Sequence, residues 1–212
     1  MPTTPQSTRR RGIRMPRKAR RAQLLDAALE VFVAHGYHAA AMDDIADRAG
    51  VSKPVLYQHF PSKLELYLAL LDETCDTVID AVRGALESSA DNNKLRVQAT
   101  MDVFYAYVAN AGGAFRLVFE SDLVNEPAVR ERVERVTTES AESIAAVIHD
   151  DTGLPAEESQ LIAVSLVGMA QVSARYWLGK EGRIKQDDAA ALVSGLAWRG
   201  IRGFPRTDEP PA

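Results

Sequence analysis

Apolar side chains recur every three to four residues along most of the chain, which is the spacing of one buried helix face. The first helix is predicted over 17–35, with Leu25, Leu29 and Phe32 on its apolar face and Gly36 at its end. No segment shows the strict alternation of apolar and polar residues that marks a half-buried strand. We therefore predict an all-α protein of about nine helices.

The larger, C-terminal part of the chain repeats this helical pattern several times. Ser62 is a good N-cap, and Glu65 three residues later completes a capping box, so a long helix should start there and carry the chain out of the first unit. Gly112 and Gly113 are expected to break a later helix. The predicted helices of this part span 62–91, 95–110, 115–124, 127–153, 155–178 and 187–201.

The stretch 45–60, IADRAGVSKPVLYQHF, reads as a helix-turn-helix. Ile45 and Ala46 give a short helix its apolar face, and Gly50 breaks that helix where a left-handed backbone is needed. Leu56 resumes the apolar pattern on a second helix, and the aromatic residue at position 60 closes the unit. Two helices should therefore cross at a tight corner.

The outer face of the second helix is the part left free by this packing. An exposed helix that presents hydrogen-bond donors and small apolar groups fits the major groove of DNA. An ordinary helical hairpin within a bundle is the alternative for a lone alanine and glycine at this spacing, but several independent positions agree on the first reading. The residues on this face are Lys53, Pro54, Val55, Tyr57, Gln58 and His59.

The charge distribution supports a nucleic-acid partner at one end only. The formal net charge is −4, yet eight basic residues and no acidic residue precede position 22. The remainder holds 17 basic against 29 acidic residues, a net of −12. Because the basic residues lie at one end and the body is acidic, electrostatic attraction to DNA should act through the N-terminal end. The arm 1–16, with Arg14, is expected to be loose, and it reads either as a solvated tail or as a contact to phosphate.

Residues 23–70 resemble the DNA-binding domain of TetR-type transcriptional regulators. The resemblance implies that the outer face described above reads bases or the adjacent backbone, and that Tyr57, Lys63 and the basic residues Arg14 and Arg17 contact phosphates. Two positions depart from the pattern. Ala41 and its neighbour stand where the family has a hydroxyl residue before the second helix, and Pro54 replaces a common glycine.

The last two long helices, 155–178 and 187–201, are rich in small residues and apolar over more than one face. Small residues allow close helix approach, and the surplus apolar surface predicts burial against a second copy of the chain. The alternative is that both are core helices of a monomer. The family resemblance, in which the terminal helices dimerise, favours a homodimer.

Aromatic and flexible apolar residues concentrate in the body, where they form either core or a ligand cavity. The resemblance favours an effector cavity. Further segments, FRLVFESDLVNEPAV and IAVSLVGMAQVSARYWL, resemble actinobacterial regulators of fatty-acid synthesis of the FasR type, which implies a long-chain acyl-CoA effector. The residues predicted to line the effector site are Phe104, Tyr107, Phe115, Phe119, Leu123, Met169, Val172 and Tyr176.

Nothing in the sequence points to an enzyme. The four histidines are scattered, no carboxylate cluster has metal spacing, and no cofactor or metal is expected. Cys75 lies in an apolar stripe and reads as a small buried hydrophobe. The arginine-rich N-terminus does not look like a signal peptide, and the apolar run at 161–170 is short of a membrane span. We expect a cytoplasmic protein with no membrane partner.

These observations predict four segments: the arm 1–16, a helix-turn-helix domain 17–62, an effector-binding and dimerisation domain 63–204, and a loose tail 205–212. The predicted function is that of a dimeric transcriptional regulator that binds a palindromic operator and senses an apolar effector. The alternatives are an architectural DNA-binding protein without an effector, a regulator of efflux or catabolic genes with another apolar ligand, and an acyl-binding or hydrolytic protein with a vestigial head.

Overall fold

The computed structural model describes residues 15–88, 92–119, 123, 125–180 and 183–201. Within these residues the chain forms nine α-helices and no strand, which confirms the predicted all-α class. The predictions for Arg14 and for the tail 205–212 lie outside the described residues. The helices are α1 (Arg17–Ala39), α2 (Met42–Arg48), α3 (Lys53–His59), α4 (Lys63–Ser88), α5 (Asn93–Asn110), α6 (Gly112–Phe119), α7 (Pro127–Thr152), α8 (Ala156–Leu178) and α9 (Gln186–Ile201).

Helices α1 to α3 form the head. Helix α1 is interrupted at Gly36, whose φ of 73° is outside the helical region, so the predicted break at this residue is confirmed. Gly50 adopts a φ of 64° between α2 and α3, and the amide of Val51 donates to the carbonyl of Ala46 at 3.0 Å. A left-handed residue of this kind suits glycine. It turns the chain sharply enough for α2 and α3 to pack against α1.

Helix α4 connects the head to the body. The hydroxyl of Ser62 accepts a hydrogen bond from the amide of Glu65 at 3.1 Å, so the predicted N-cap is confirmed. The first turns of α4 bury Leu66 and Tyr67 against the head, and its later turns bury Val78 and Val82 in the body. One continuous apolar core therefore runs through both parts, and the division at residues 62 and 63 stays a prediction.

Helix α6 differs from its prediction. It begins at Gly112 rather than at residue 115, and the preceding break falls at Ala111, where φ is −117°. Gly113 lies inside this helix at a close contact with α1, because a Cβ atom on it would lie 2.7 Å from Cγ2 of Val33. The glycine that the sequence marked as a helix breaker is instead part of α6, where it allows close packing on the head.

The body helices pack around α4. Helix α5 lies against α4 and α9, and α7 lies against α4 and α8. Ion pairs also join α4 to α7: Arg132 contacts Asp72 at 2.8 Å, and Arg135 contacts Asp76 at 2.8 Å. The connecting helix is therefore held to the body along one side by both packing and charge.

Helix α8 is long and apolar enough to cross a membrane by length and composition alone, which corrects the expectation drawn from the ten-residue run 161–170. Its most apolar window has a mean hydropathy of 1.3, but only 17% of that window is buried within this chain. Helix α8 packs on α7, and it leaves apolar side chains exposed on its opposite side.

Candidate DNA interface and ligand cavity

Helix α3 presents the predicted reading face to solvent. Leu56 is fully buried beneath the helix, whereas Lys53, Tyr57 and Gln58 on its outer side are exposed. Pro54 is also exposed and lies in the first turn, where a missing amide hydrogen costs nothing. Val55 and His59 are half-buried at the edges of this face. The geometry leaves a seven-residue helix free along one side.

The base of α3 is fixed by an aromatic plug. Phe60 is buried directly after the helix, as predicted, and the guanidinium of Arg21 lies 4.5 Å from the centre of its ring. Gln23 of α1 also donates to the carbonyl of Ala49 at 2.8 Å, which satisfies the end of α2. Helix α1 therefore holds both the turn and the end of the reading helix, which limits the mobility of the exposed face.

His59 lies at the end of α3 beside the basic start of α1. Desolvation lowers the pKa of its imidazole, and the positive charges of Arg17 and Arg21 lower it further. The ring is therefore neutral at pH 7, where it can both donate and accept a hydrogen bond. Arg17 itself is exposed at the first residue of α1, on the same side of the head.

We expect DNA affinity to rise as the pH is lowered through the depressed pKa of His59. Protonation adds one positive charge near the phosphates, so the affinity for any duplex should increase by about threefold and the salt dependence should steepen by about one counterion. Fluorescence anisotropy between pH 7.5 and pH 5.5 measures this effect. The His59→Gln variant should lose the increase, and an equal increase in that variant would assign it to another group.

Lys63 does not have the environment that the family resemblance implied. Its ammonium group donates to the carbonyls of Tyr37 and Ala40 at 2.8 Å each and to that of His38 at 3.3 Å. It also lies 4.6 Å from the ring centre of Tyr37. Its ammonium group therefore caps the backbone at the end of α1 in this structure, and the phosphate contact of Lys63 stays a prediction.

The start of α2 lacks the hydroxyl cap that the family pattern contains. Ala41 is the N-cap residue and provides no side-chain acceptor, but its amide donates to the carboxylate of Asp44 at 3.4 Å. The neighbouring carboxylate of Asp43 pairs with the ammonium of Lys53 at 2.5 Å. The sequence alone does not reveal the second contact, because Asp43 and Lys53 are ten residues apart on two different helices.

The body contains an elongated cavity of about 660 Å³ between α4, α5, α7 and α8. Its walls are mainly aliphatic, and along α7 the lining runs from Val136 to Thr152, about 24 Å at roughly 1.5 Å per residue. The end near the head includes the apolar residues Phe104 and Val78, with Ser140 and Gln171 as its polar lining residues. The far end is polar. Its lining residues there are Asn92, Asn93, Lys94, Arg96, Asp151 and Thr152.

The polar end of the cavity is built around an ion pair. Arg96 is buried in the wall, and its guanidinium donates to Asp151 at 2.7 Å and to the side chain of Asn93 at 2.9 Å. The exposed ammonium of Lys94 lies on the same rim. This end therefore carries two cations against one carboxylate, and it offers an anionic group a favourable position beside an apolar channel.

Most of the predicted effector residues do not line this cavity. Phe104 lies in its wall, which agrees with the prediction. The rings of Phe115 and Phe119 pack against each other within α6, with their centres 4.7 Å apart and their planes tilted by 41°. Val172 and Tyr176 are each 65% exposed on α8. The remaining three are half-buried at other points of the core, namely Tyr107, Leu123 and Met169.

The missed lining residues come mainly from α4, α5, α7 and α8. The apolar stripe of α7 includes Val136, Ile144 and Val147, and the sequence analysis assigned none of them to the effector site. The signal that could have located the channel is the arginine on α5, because Arg96 is buried and a buried charge needs a partner, here the more exposed Asp151. Their pairing marks the polar end.

Other chemistry is limited among the described residues. Cys75 is fully buried, and burial raises the pKa of its thiol to about 12, which agrees with the predicted role as a small hydrophobe. No group of three or more potential metal-ligating side chains comes together in the part of the chain that the structure describes.

A second surface feature is an apolar face formed by α8 and α9, which contact each other. Along α8 the exposed positions recur at helical spacing, and Leu161 is 69% exposed. On α9 the side chains of Leu192 and Leu196 are 63% and 57% exposed. We call this the α8–α9 face. Its exposed apolar members are Leu161, Val164, Val172, Tyr176, Leu192 and Leu196.

A three-helix head with an exposed outer helix, joined by α4 to a helical body that contains an elongated cavity, is the architecture of a helix-turn-helix transcriptional regulator. The chain belongs to the TetR family of bacterial regulatory proteins. The family model matches residues 24–70, and the chain is 47% identical over 203 residues to the HTH-type transcriptional activator FasR of Mycolicibacterium smegmatis. That match covers 96% of this chain and 92% of the relative.

Solved structures agree on the fold. A TetR-like transcriptional regulator from Rhodococcus sp. RHA1 superposes with a TM-score of 0.69 at 30% identity, and the match covers 90% of this chain and all of that one. The regulator FadR from Bacillus subtilis, solved in complex with stearoyl-CoA, superposes with a TM-score of 0.70. Its identity is 18%, with 85% of this chain and 98% of that chain covered, so this likeness concerns the fold.

Proposed function

We propose that this regulator is a cytoplasmic homodimer that binds a palindromic operator and responds to a long-chain acyl-CoA, controlling genes of lipid synthesis. The observation that carries the effector proposal is the elongated cavity with an apolar interior and a polar, cationic end. Dimerisation is supported by the α8–α9 face, because an isologous contact of two such faces would remove six exposed apolar side chains per protomer from water.

On the operator, two α3 helices would enter successive major grooves, about 34 to 36 Å apart. Gln58 and Lys53 are the residues we assign to base edges, since an amide reads adenine and an ammonium reads guanine. Pro54 and Val55 would pack against thymine methyl groups or the adjacent backbone. Tyr57 and Arg17, with Arg14, would contact phosphates and set affinity rather than sequence preference.

Substitution of Gln58 and Tyr57 should separate these two roles. Gln58→Ala should lose about 1 to 3 kcal/mol of discrimination at one defined base pair, because a bidentate contact is removed. Tyr57→Phe should weaken binding to every duplex by a similar factor, since only a phosphate contact is lost. In vitro selection on randomised operators checks both. A change of base preference in Tyr57→Phe would contradict the assignment.

The proposed effector fits the cavity in one orientation. The acyl chain would occupy the aliphatic interior and point toward the head, while the anionic coenzyme would lie outside the end formed by Arg96 and Lys94. The reverse orientation places phosphates against Phe104 and Val78 and is excluded by desolvation. The FadR neighbour was solved in complex with stearoyl-CoA, so a long-chain acyl-CoA is a suitable probe. The FasR relative is named a transcriptional activator, which favours activation over repression.

A route from the cavity to the head is available in the packing. Phe104 in the cavity wall lies 6.2 Å from Phe115 of α6, measured between ring centres, and α6 packs closely on α1. Tyr67 of α4 also donates to the carbonyl of Leu117 at 3.2 Å. A bound chain would therefore shift α6 and tilt α4, changing the separation of the two heads. A coupling of about 1 to 3 kcal/mol would change operator occupancy roughly 5- to 150-fold.

The proposal is tested by titrating the purified protein on its own operator, first isolated by in vitro selection from random duplexes. Palmitoyl-CoA, acetyl-CoA and palmitic acid are compared at one salt concentration. We expect the long-chain thioester to change operator affinity at the lowest concentration. An unchanged operator affinity with all three probes would overturn the effector proposal and favour an architectural DNA-binding protein.

The same titration distinguishes the remaining functional alternatives. Release of free coenzyme A during the titration would indicate a hydrolytic protein. A response to unrelated apolar compounds but not to palmitoyl-CoA would indicate a regulator of efflux or catabolic genes. Sedimentation of the protein alone, with a mass near twice that of the 23.2 kDa chain, would support the homodimer.

A further inference from the structure

The ion pair between Asp43 and Lys53 joins the first turns of the two helix-turn-helix helices. The carboxylate of Asp43 lies 2.5 Å from the ammonium of Lys53, and both side chains are more than half exposed. This hydrogen bond is also the main reason that the pKa of Lys53 is raised, so the ammonium is fully charged and directed toward Asp43. Lys53 in the free protein is thus already paired.

The location of the pair gives it a role in binding. In a helix-turn-helix the start of the second helix contacts base edges, and the first helix crosses the phosphate backbone. Lys53 is the first residue of α3, and Asp43 lies in the first turn of α2. An exposed ion pair adds little to folding stability, but a carboxylate at this position repels phosphates and competes with DNA for the one cation of α3 at that turn.

We propose that Asp43 determines specificity: it holds Lys53 away from phosphates, so that Lys53 is released only when a base edge replaces the carboxylate. On non-operator DNA the ion pair between Asp43 and Lys53 stays intact. A single contact of Lys53 with a phosphate does not compensate for the loss of Asp43 as a partner and for the repulsion between the Asp43 carboxylate and that phosphate. On the operator a guanine edge offers Lys53 two acceptors in fixed geometry. Asp43 therefore weakens binding to random DNA more than binding to the operator.

Substitution of Asp43→Asn tests the proposal, with affinity for the operator and for a random duplex of equal length measured at two salt concentrations. We expect the affinity for random DNA to rise about fivefold to tenfold and that for the operator to rise about twofold, so the ratio of the two falls. Asp43→Ser provides a second variant in case the asparagine disturbs the start of α2, and thermal unfolding verifies that each head is folded.

Two further variants separate the pair from general charge. Asp47→Asn removes another exposed carboxylate of α2, one that makes no hydrogen bond to Lys53. This variant should raise the affinities for operator and for random DNA by the same small factor. In the Lys53→Met background, Asp43→Asn should likewise leave the ratio unchanged. A ratio that Asp43→Asn leaves unchanged while Lys53 is present, or lowers equally in the Lys53→Met background, would overturn the proposal. So would a lower operator affinity in both Asp43 variants, which would assign Asp43 directly to a base.

Discussion

Substitution of Thr100→Trp should abolish the response to palmitoyl-CoA while leaving operator binding intact. Thr100 lies on α5 in the cavity wall, between the polar end and Phe104, and it is only half-buried, so a larger side chain can enter the cavity without entering packed core. Its hydroxyl bonds the carbonyl of Arg96 within the same helix, and this bond is dispensable. Overlap with the acyl chain should raise the required effector concentration by at least about tenfold.

The matched control is Gln98→Trp, which adds the same side chain to the same helix at an exposed position outside the cavity wall. It should respond to palmitoyl-CoA as the parent protein does. Operator titrations with and without effector measure both variants. A normal response in Thr100→Trp, with a folded body by thermal unfolding, would remove the cavity from the mechanism and leave DNA binding unaffected.

The head could be predicted from the sequence because its constraints are local. Gly50 has no neighbouring atom within 4 Å of where a Cβ would lie, so its requirement is the positive φ of 64° alone. A turn that depends on backbone conformation requires a glycine at a fixed number of residues from the small and apolar residues of the two helices, such as Ala46 and Leu56. That spacing is visible in one sequence.

The cavity could not be located in the same way because a void is a property of the assembled helices. Helical periodicity identifies Phe115 and Val136 equally as inward-facing, but one fills the packing of α6 and the other lines the channel. Gly113 was misread for a similar reason, since the close approach of Val33 on a distant helix decides its role. Contacts between separate elements carry this information, and local spacing does not.

The exposed residues of α8 show a different ambiguity in the sequence. Val172 and Tyr176 were predicted to contact an effector, because aromatic and aliphatic side chains on an apolar helix read as pocket lining. They are 65% exposed and belong to the α8–α9 face. Composition alone does not distinguish a surface that meets a small molecule from one that meets another protein. The distinction depends on which side of α8 is already covered by α7.

Substitution of Leu192→Glu on α9 should convert the protein to a monomer and remove high-affinity operator binding. Leu192 is 63% exposed in the single chain, so a carboxylate there is tolerated by the monomer fold. In an isologous dimer the change occurs twice, and each unpaired carboxylate buried at the contact costs several kcal/mol. Operator affinity should fall by at least about 100-fold, because one head alone reads one half-site.

The control is Leu95→Glu, an exposed leucine of similar accessibility, 53%, on α5 and outside the α8–α9 face. It should sediment and bind the operator as the parent does. Leu192→Glu should in turn retain weak binding to an isolated half-site at low salt, because its head is unchanged. A dimeric Leu192→Glu variant that still binds the operator would place the dimer contact elsewhere. Monomeric sedimentation together with parent-like operator affinity would show instead that pairing on DNA does not require the α8–α9 face.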